Sequence, residues 1–418
     1  MKSKVELMAP VGSYETLAAA IKAGAGSVYF GVGKLNMRSA STVNFSLADL
    51  KKIVATCRKA GVKTYLTLNT VMYDEDLSDV RKVCEAAKKE GVSAVIASDF
   101  SVIEYARKVG LEVHTSTQAN VSNIEAVKFF SKWADVIVLA RELRIEQIKK
   151  ICDEIKKQKI KGPSGRLVQI EVFVHGALCV SISGKCYMSL ATYNKSANRG
   201  ECLQNCRRAY RVIDDETGDE LKIDNKYVMS PADLCTIGYL DKLVSAGVSV
   251  MKIEGRGRKA EYVYTTVKAY SEALDAIGKG TYTKEKVSTW TKELEKVFNR
   301  GFWHGGYYMG RKENEWSGVY GSKATTEKVQ VGKVLNYYAK AKVGYFLLES
   351  DSLKVGDSIL ITGPTTGVVE SKVKAIMKEG KEEKDQRVNS AGKGDKVTVS
   401  LPEKVRVNDK LFVVRKRD

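Results

Sequence analysis

Four of the eight cysteines fall in one short stretch, Cys179-x6-Cys186-x15-Cys202-x3-Cys206, while Cys57, Cys84, Cys152 and Cys235 are scattered along the chain. The stretch is built from Gly, Ser and Asn rather than apolar residues. Cysteines used for packing fall on apolar faces, so these four read as metal ligands or redox groups. Zinc ribbons favour paired C-x2-4-C knuckles, a spacing that only Cys202 and Cys206 meet. Long loops can instead wrap a cuboidal iron–sulfur cluster with four thiolates. Disulfides suit an exported chain, but Met1-Lys-Ser-Lys-Val-Glu does not read as a signal peptide and no apolar run approaches membrane-spanning length. Spacing alone leaves cluster, structural zinc and unliganded thiols open. The expected compartment is the cytoplasm, with no membrane partner.

Charge and histidine content narrow the chemistry. Lys+Arg is 69 against Asp+Glu 50, a formal net charge of +19 over 418 residues. Such an excess suits a polyanionic partner, most often RNA, although paired lysines such as Lys88-Lys89 and Lys156-Lys157 also fit solvated helix faces. The three histidines, His114, His175 and His304, form no His-Glu-x-x-His, and no Gly-x-Ser-x-Gly is present. A zinc protease or serine hydrolase is therefore not indicated. Cys179 beside His175 is the one nucleophile–base arrangement left, and it would give three further cysteines no role.

The elements that must position these groups alternate. Strand-like runs at Val5–Met8, Ser27–Gly31, Thr64–Asn69, Ala94–Asp99, Glu112–Thr117, Val136–Arg141, Glu171–Gly176 and Val250–Gly255 are separated by amphipathic helical runs. Eight such units predict an α/β fold, a (β/α)8 TIM-like barrel, over residues 1–326. Asn69, Asp99, Gln118, Arg141, His175, Glu254 and Arg256 end strands, where barrel enzymes carry their working groups. The cysteine-rich insert, at about 176–210, follows the seventh strand and so lies over the same rim. From 327 to 418 the pattern changes to short strands with Gly-Asp and Asn-Asp turns. This predicts a small closed β-barrel similar to the second domain of translation elongation factors and suited to RNA contact. The closing Arg415-Lys416-Arg417 adds charge.

Several long motifs carry a resemblance. They are Glu171-Val-Phe-Val-His-Gly-Ala-Leu-Cys179, Ser183-Gly-Lys-Cys186-Tyr-Met-Ser189, Asn198-Arg-Gly-Glu-Cys202-Leu-Gln-Asn-Cys206-Arg-Arg-Ala-Tyr210 and Lys252-Ile-Glu-Gly-Arg256, supported by Met8-Ala-Pro-Val-Gly-Ser, Tyr29-Phe-Gly, Asn69-Thr and Ser116-Thr-Gln. Together they resemble peptidase family U32, the collagenase-like proteins, over almost the whole chain. The barrel-plus-tail layout is similar to that of the family's tRNA-hydroxylating members. The resemblance implies a [4Fe–4S] cluster on Cys179, Cys186, Cys202 and Cys206. It further implies oxygen-independent conversion of a wobble uridine of tRNA to 5-hydroxyuridine, with prephenate as oxygen source. Arg38, Arg141, Arg199 and Arg256 are then candidates for the carboxylates of prephenate, Arg141 and Arg256 foremost. His175 is expected to shuttle a proton and Glu254 to pair with an arginine or accept a proton, while Asn69 and Gln118 touch substrate. Tyr187 and Tyr210 are placed to stack on a base. Cys235 is expected in the core, at the start of a helix. A collagenase-like peptidase, and a ribosomal-RNA or small-molecule hydroxylase, are the alternatives.

Overall fold

The computed structural model describes residues 5–40, 44–221, 227, 229–308, 317–379 and 386–417. Met1-Lys-Ser-Lys lies outside them. All eight expected barrel strands are present: β1 (Glu6–Pro10), β2 (Ser27–Gly31), β3 (Lys63–Leu68), β4 (Ala94–Ala97), β5 (Glu112–Thr115), β6 (Val136–Val138), β7 (Gln169–Gly176) and β8 (Val250–Ile253). Each pairs in parallel with the next, and β8 closes the ring against both β7 and β1. Burial on both faces explains their near-continuous apolar sequence, as in Ser-Val-Tyr-Phe-Gly of β2.

Helices cover the ring. α1 (Tyr14–Lys22), α2 (Leu50–Lys59), α3 (Leu77–Glu90), α4 (Phe100–Lys108), α5 (Ile124–Phe130) and α6 (Ile145–Lys157) follow β1 to β6 in turn. In α6 the inward stripe is Ile148, Ile151, Cys152 and Ile155, spaced as a helix face requires. Cys57 and Cys84 lie on the matching stripes of α2 and α3, so three of the scattered cysteines are packing residues. Ser13, Asp99 and Asn123 cap α1, α4 and α5 through their side chains. After the insert, which carries the short α7 (Met188–Tyr193), come α8 (Leu240–Ser245), α9 (Ala260–Gly278) and α10 (Lys284–Lys296). A short strand, Asp233–Cys235, runs antiparallel beside the end of β7. Cys235 therefore ends a strand, where it was expected to start a helix.

The tail is an antiparallel sheet. Its main strands are β9 (Thr326–Tyr338), β10 (Val343–Leu348), β11 (Ser358–Gly363), β12 (Gly367–Lys372), β13 (Lys396–Ser400) and β14 (Lys410–Lys416). Strand β9 shifts register at Gln330/Gly332 against β14 and at Val334/Asn336 against β10. Such bulges bend a strand and curl the sheet around its own core, which includes Val331, Phe346, Leu348, Ile361, Val397 and Leu411. The tail docks on the barrel's outer face. Val368, Leu360 and Phe412 pack on Ala19 and Ala260, with Lys22–Glu403 at 2.8 Å and Lys328–Glu261 at 2.7 Å beside them. Gly367 allows this approach: a Cβ there would lie 2.9 Å from the Ala19 backbone nitrogen.

Candidate active site

The C-terminal ends of the barrel strands and the cysteine insert enclose a cavity of about 280 Å³. Asn69 follows β3, Ser116 and Gln118 follow β5, Arg141 follows β6, and Glu254 and Arg256 follow β8; all line it. Two glycines make this rim possible. Gly176, ending β7 at φ 103°, lies so near the Glu254 carbonyl that a Cβ would sit 2.5 Å from it. Gly255, at φ 152°, would press a Cβ to 2.6 Å from the Tyr262 ring.

The charges in the cavity are mostly positive. Arg38, Arg141, Arg207, Lys252, Arg256, Arg258 and Arg300 line it, and Glu254 is the only acid among the lining residues. Glu254 accepts from Arg38 Nη2 at 2.9 Å and from the Tyr29 hydroxyl at 3.0 Å. Burial alone would raise its carboxyl, but Arg38, Arg256 and these two hydrogen bonds outweigh it and hold the carboxyl below its ordinary value. Burial, and then the Glu254 charge, push the Tyr29 phenol well up, so it remains a donor. Arg256 is buried and committed: Nη1 donates to Asn36 Oδ1 at 3.0 Å and to Thr67 Oγ1 at 2.9 Å. Arg141 differs. Among the described residues its guanidinium makes no hydrogen bond or ion pair, and it lies 5.8 Å over the Phe173 ring. At the floor Lys252 pairs with Glu171 at 2.8 Å, both inside the barrel. Opposite, Asn69 Nδ2 donates to Ser116 Oγ at 3.0 Å, and the Ser116 hydroxyl donates to Gln118 Oε1.

The insert is tied to the rim at several points. Val71 N donates to Asn198 O at 3.1 Å, Ala40 N to Gly200 O at 3.2 Å and Asn120 Nδ2 to Ser183 O at 3.3 Å. Arg207 holds it from below, donating to Pro231 O at 2.8 Å and to Leu178 O. Cys179, Cys186, Cys202 and Cys206 consequently all line the same cavity. Burial, and then the charges of the other cysteines, raise the Cys186 and Cys206 thiols above their ordinary value. A metal centre is what would hold four such neighbours deprotonated together. Among the described residues no three His, Cys, Asp or Glu side chains converge on a single ion position. An all-sulfur donor set spread around a cavity fits a polynuclear cluster in kind.

Two sequence expectations need correction. His175 does not reach the cavity. The β7–β8 register shifts between Lys252/Ile253, opposite Phe173 and His175, and the His175 ring packs against Tyr262, Tyr270 and Phe302. It is 1% exposed, and burial lowers its pKa to about 3, so it is no shuttle near neutral pH. Arg199 does not line the cavity either; it pairs with the buried Asp76 and stacks 3.9 Å over Tyr73, anchoring the insert. Cys235, beside Tyr270 Oη at 3.9 Å, is likewise absent from the cavity wall. Tyr210 is spent on the Asn205 carbonyl at 2.9 Å, whereas Tyr187 is 67% exposed next to Cys186. Sequence reasoning missed Lys252, Arg207, Arg258, Arg300 and Tyr29. The signal for Lys252 was available: a lysine inside the apolar run Val250–Ile253 demands a buried partner, which Glu171 in β7 provides.

A family model described as peptidase family U32 matches residues 12–318. The chain belongs to peptidase family U32. A collagenase of Porphyromonas gingivalis (strain W83) is 52% identical over 413 residues, covering 99% of this chain and 98% of its own length. The tRNA hydroxylation protein P1 of Bacillus subtilis (strain 168) is 32% identical over 374 residues, covering 86% and 84%. A 23S rRNA 5-hydroxycytidine synthase of Escherichia coli (strain K12) is 34% identical over 305 residues, covering 71% of this chain and 44% of its own length. The family match takes in the rim residues and all four clustered cysteines of this U32 chain.

Proposed function

We propose that this chain is an oxygen-independent tRNA hydroxylase that forms 5-hydroxyuridine at the wobble position. Prephenate or a similar dicarboxylate is the oxygen donor, and Cys179, Cys186, Cys202 and Cys206 hold a [4Fe–4S] cluster. The observation that carries this reading is a barrel-mouth cavity with seven cationic side chains against one acid, facing four thiols. The names of two relatives, a tRNA hydroxylation protein and an rRNA 5-hydroxycytidine synthase, point to the same chemistry. The net charge of +19 suits an RNA partner.

In balance, the C5–H of uracil becomes C5–OH while a C–OH of the donor becomes C–H. One oxygen and one hydrogen change places, the uracil loses two electrons and the donor gains them, so no dioxygen enters. A cluster on the four thiols supplies one-electron redox capacity at the cavity wall. Arg141, without a hydrogen-bonding partner among the described residues, forks onto a donor carboxylate. Glu254, held ionised, is the acceptor in reach of a substrate proton, and Tyr29 and Arg38 fix its position. The amides of Asn69 and Gln118 match the donor–acceptor edge of a flipped uracil. Lys252 adds a fixed charge at the floor, and the insert walls one side of the cavity.

The peptidase reading is favoured by the collagenase relative. Among the described residues none of the three histidines lines the cavity, so the histidine base of a serine or cysteine peptidase is not found there. The test is anaerobic incubation of purified protein with unmodified tRNA and oxygen-18-labelled prephenate, followed by nucleoside mass spectrometry. Labelled 5-hydroxyuridine is expected. Absence of product together with digestion of gelatin would replace this reading with proteolysis.

A further inference from the structure

Three arginines meet on one wall of the cavity around a single carboxylate. Arg207, Arg258 and Arg300 all line the cavity, and all three act on the buried Asp233. Their commitments differ. Arg300 pairs with Asp233 at 3.4 Å. Arg207 is occupied by the backbone carbonyls of Leu178 in the insert and of Pro231 beyond it. Arg258 makes no side-chain hydrogen bond or ion pair among the described residues; its guanidinium lies 3.4 Å over the Phe298 ring. Arg300 lies 5.0 Å from the same ring. Two cations contact one aromatic ring, in a wall where Arg300 is 7% exposed, with one acid for three bases. Like charges taken out of water repel, and an anion bound between them offsets that cost.

We propose that Arg258 and Arg300, set on Phe298, form a notch that binds one carboxylate of a small dianionic co-substrate, while Arg141 takes the other. The inference rests on the reading of the cavity as the co-substrate site. The notch is part of the cavity wall, with Arg258 half-buried and Arg300 buried. The groups that act most on Arg258 are Tyr262, Arg300, Asp233 and Arg38, none of them a cysteine, so this cation does not serve the thiols as Arg207 does. The assignment also explains two guanidiniums in one cavity, Arg141 and Arg258, that stack on rings but have no hydrogen bond or ion pair among the described residues. Each ring fixes the plane of its fork, so less freedom is lost when a carboxylate docks.

The test is calorimetric titration of anaerobically purified protein with prephenate and with succinate as a plain dicarboxylate. Arg258→Gln removes the fork and should weaken dianion binding about tenfold to a hundredfold, the range for a lost charge-assisted contact. Arg258→Lys should retain part of the affinity, and Phe298→Leu, which keeps both cations but removes their support, should weaken binding as well. Iron content and tRNA affinity should not change. The thermal midpoint of ligand-free Arg258→Gln should hold or rise, because a repulsion is relieved. Unchanged dianion affinity in Arg258→Gln overturns the notch, as does loss of iron, loss of tRNA affinity in place of dianion affinity, or a lowered midpoint. If succinate binds and responds to Arg258→Gln while prephenate does not bind, the notch stands and the identity of the oxygen donor is wrong. If neither dianion binds the wild type, the notch is wrong.

Discussion

The buried pair at the cavity floor makes the sharpest stability prediction. Lys252 Nζ lies 2.8 Å from Glu171 Oε1, with side chains 6% and 0% exposed. Glu171→Gln keeps the shape and removes the charge, leaving an ammonium unpaired inside the barrel. Breaking one partner of a buried pair costs about 3–5 kcal/mol. The Lys252 ammonium also lies 4.6 Å over the Tyr29 ring and 5.4 Å over the Phe173 ring. Those contacts persist in the variant and offset about 1 kcal/mol. The net loss is then about 2–4 kcal/mol. Anaerobic urea unfolding followed by circular dichroism at pH 7 measures the loss. Adding Lys252→Met should restore much of the loss, because an apolar replacement removes the stranded charge. A destabilisation under about 1 kcal/mol at pH 7 would refute the account of this pair.

Protein purified without oxygen should carry about four irons per chain, and Ala at Cys179, Cys186, Cys202 or Cys206 should abolish that content while Cys235→Ala leaves it intact; iron and sulfide assays decide it. His175, neutral in the fold with its pKa lowered to about 3, makes the native state bind fewer protons than the unfolded chain below about pH 6.5. Stability should fall as pH drops through that window, and His175→Gln should fall less steeply in urea unfolding across the same window. Affinity for tRNA should decline steeply with salt, and removing residues 327–418 should lower it more than it lowers iron content; filter binding across a salt series measures both.

Much of the fold was legible in the sequence because period and burial are local. Eight apolar runs alternating with amphipathic helices predicted the eight strands of the ring, and strands buried on both faces have few other homes. That the four clustered cysteines lie over the rim was legible because their segment directly follows β7, and all four line the cavity. What the sequence could not reveal was direction. His175 ends a strand like its neighbours on the rim, but the shifted β7–β8 register at that point goes with a ring packed on aromatic side chains away from the cavity. Arg199 lies within the cysteine motif, yet its partner Asp76 is 123 residues away on another barrel loop. The same limit holds for Arg256, which points into the cavity but is already hydrogen-bonded to Asn36 and Thr67. Arg258, two residues further on, is the less committed cation, and only the fold brings Phe298 beneath it. The basic terminus tells a similar story: Arg415 pairs with Asp351 at 2.7 Å and Arg417 donates to Ser322 O at 3.0 Å, so two of its three charges are engaged within the protein.

The central claim is that this cavity hydroxylates tRNA. It is tested most directly by nucleoside mass spectrometry of tRNA from anaerobically grown cells in which each variant is the only copy. Wild type should yield 5-hydroxyuridine and Cys202→Ala none. Arg141→Lys, which keeps the charge but loses the two-pronged contact, should lower the modification rate roughly tenfold to a hundredfold at intact iron content. Tracts of tRNA without 5-hydroxyuridine in the wild type, with prephenate present, would contradict the reaction, and full modification by Arg141→Lys would contradict the site.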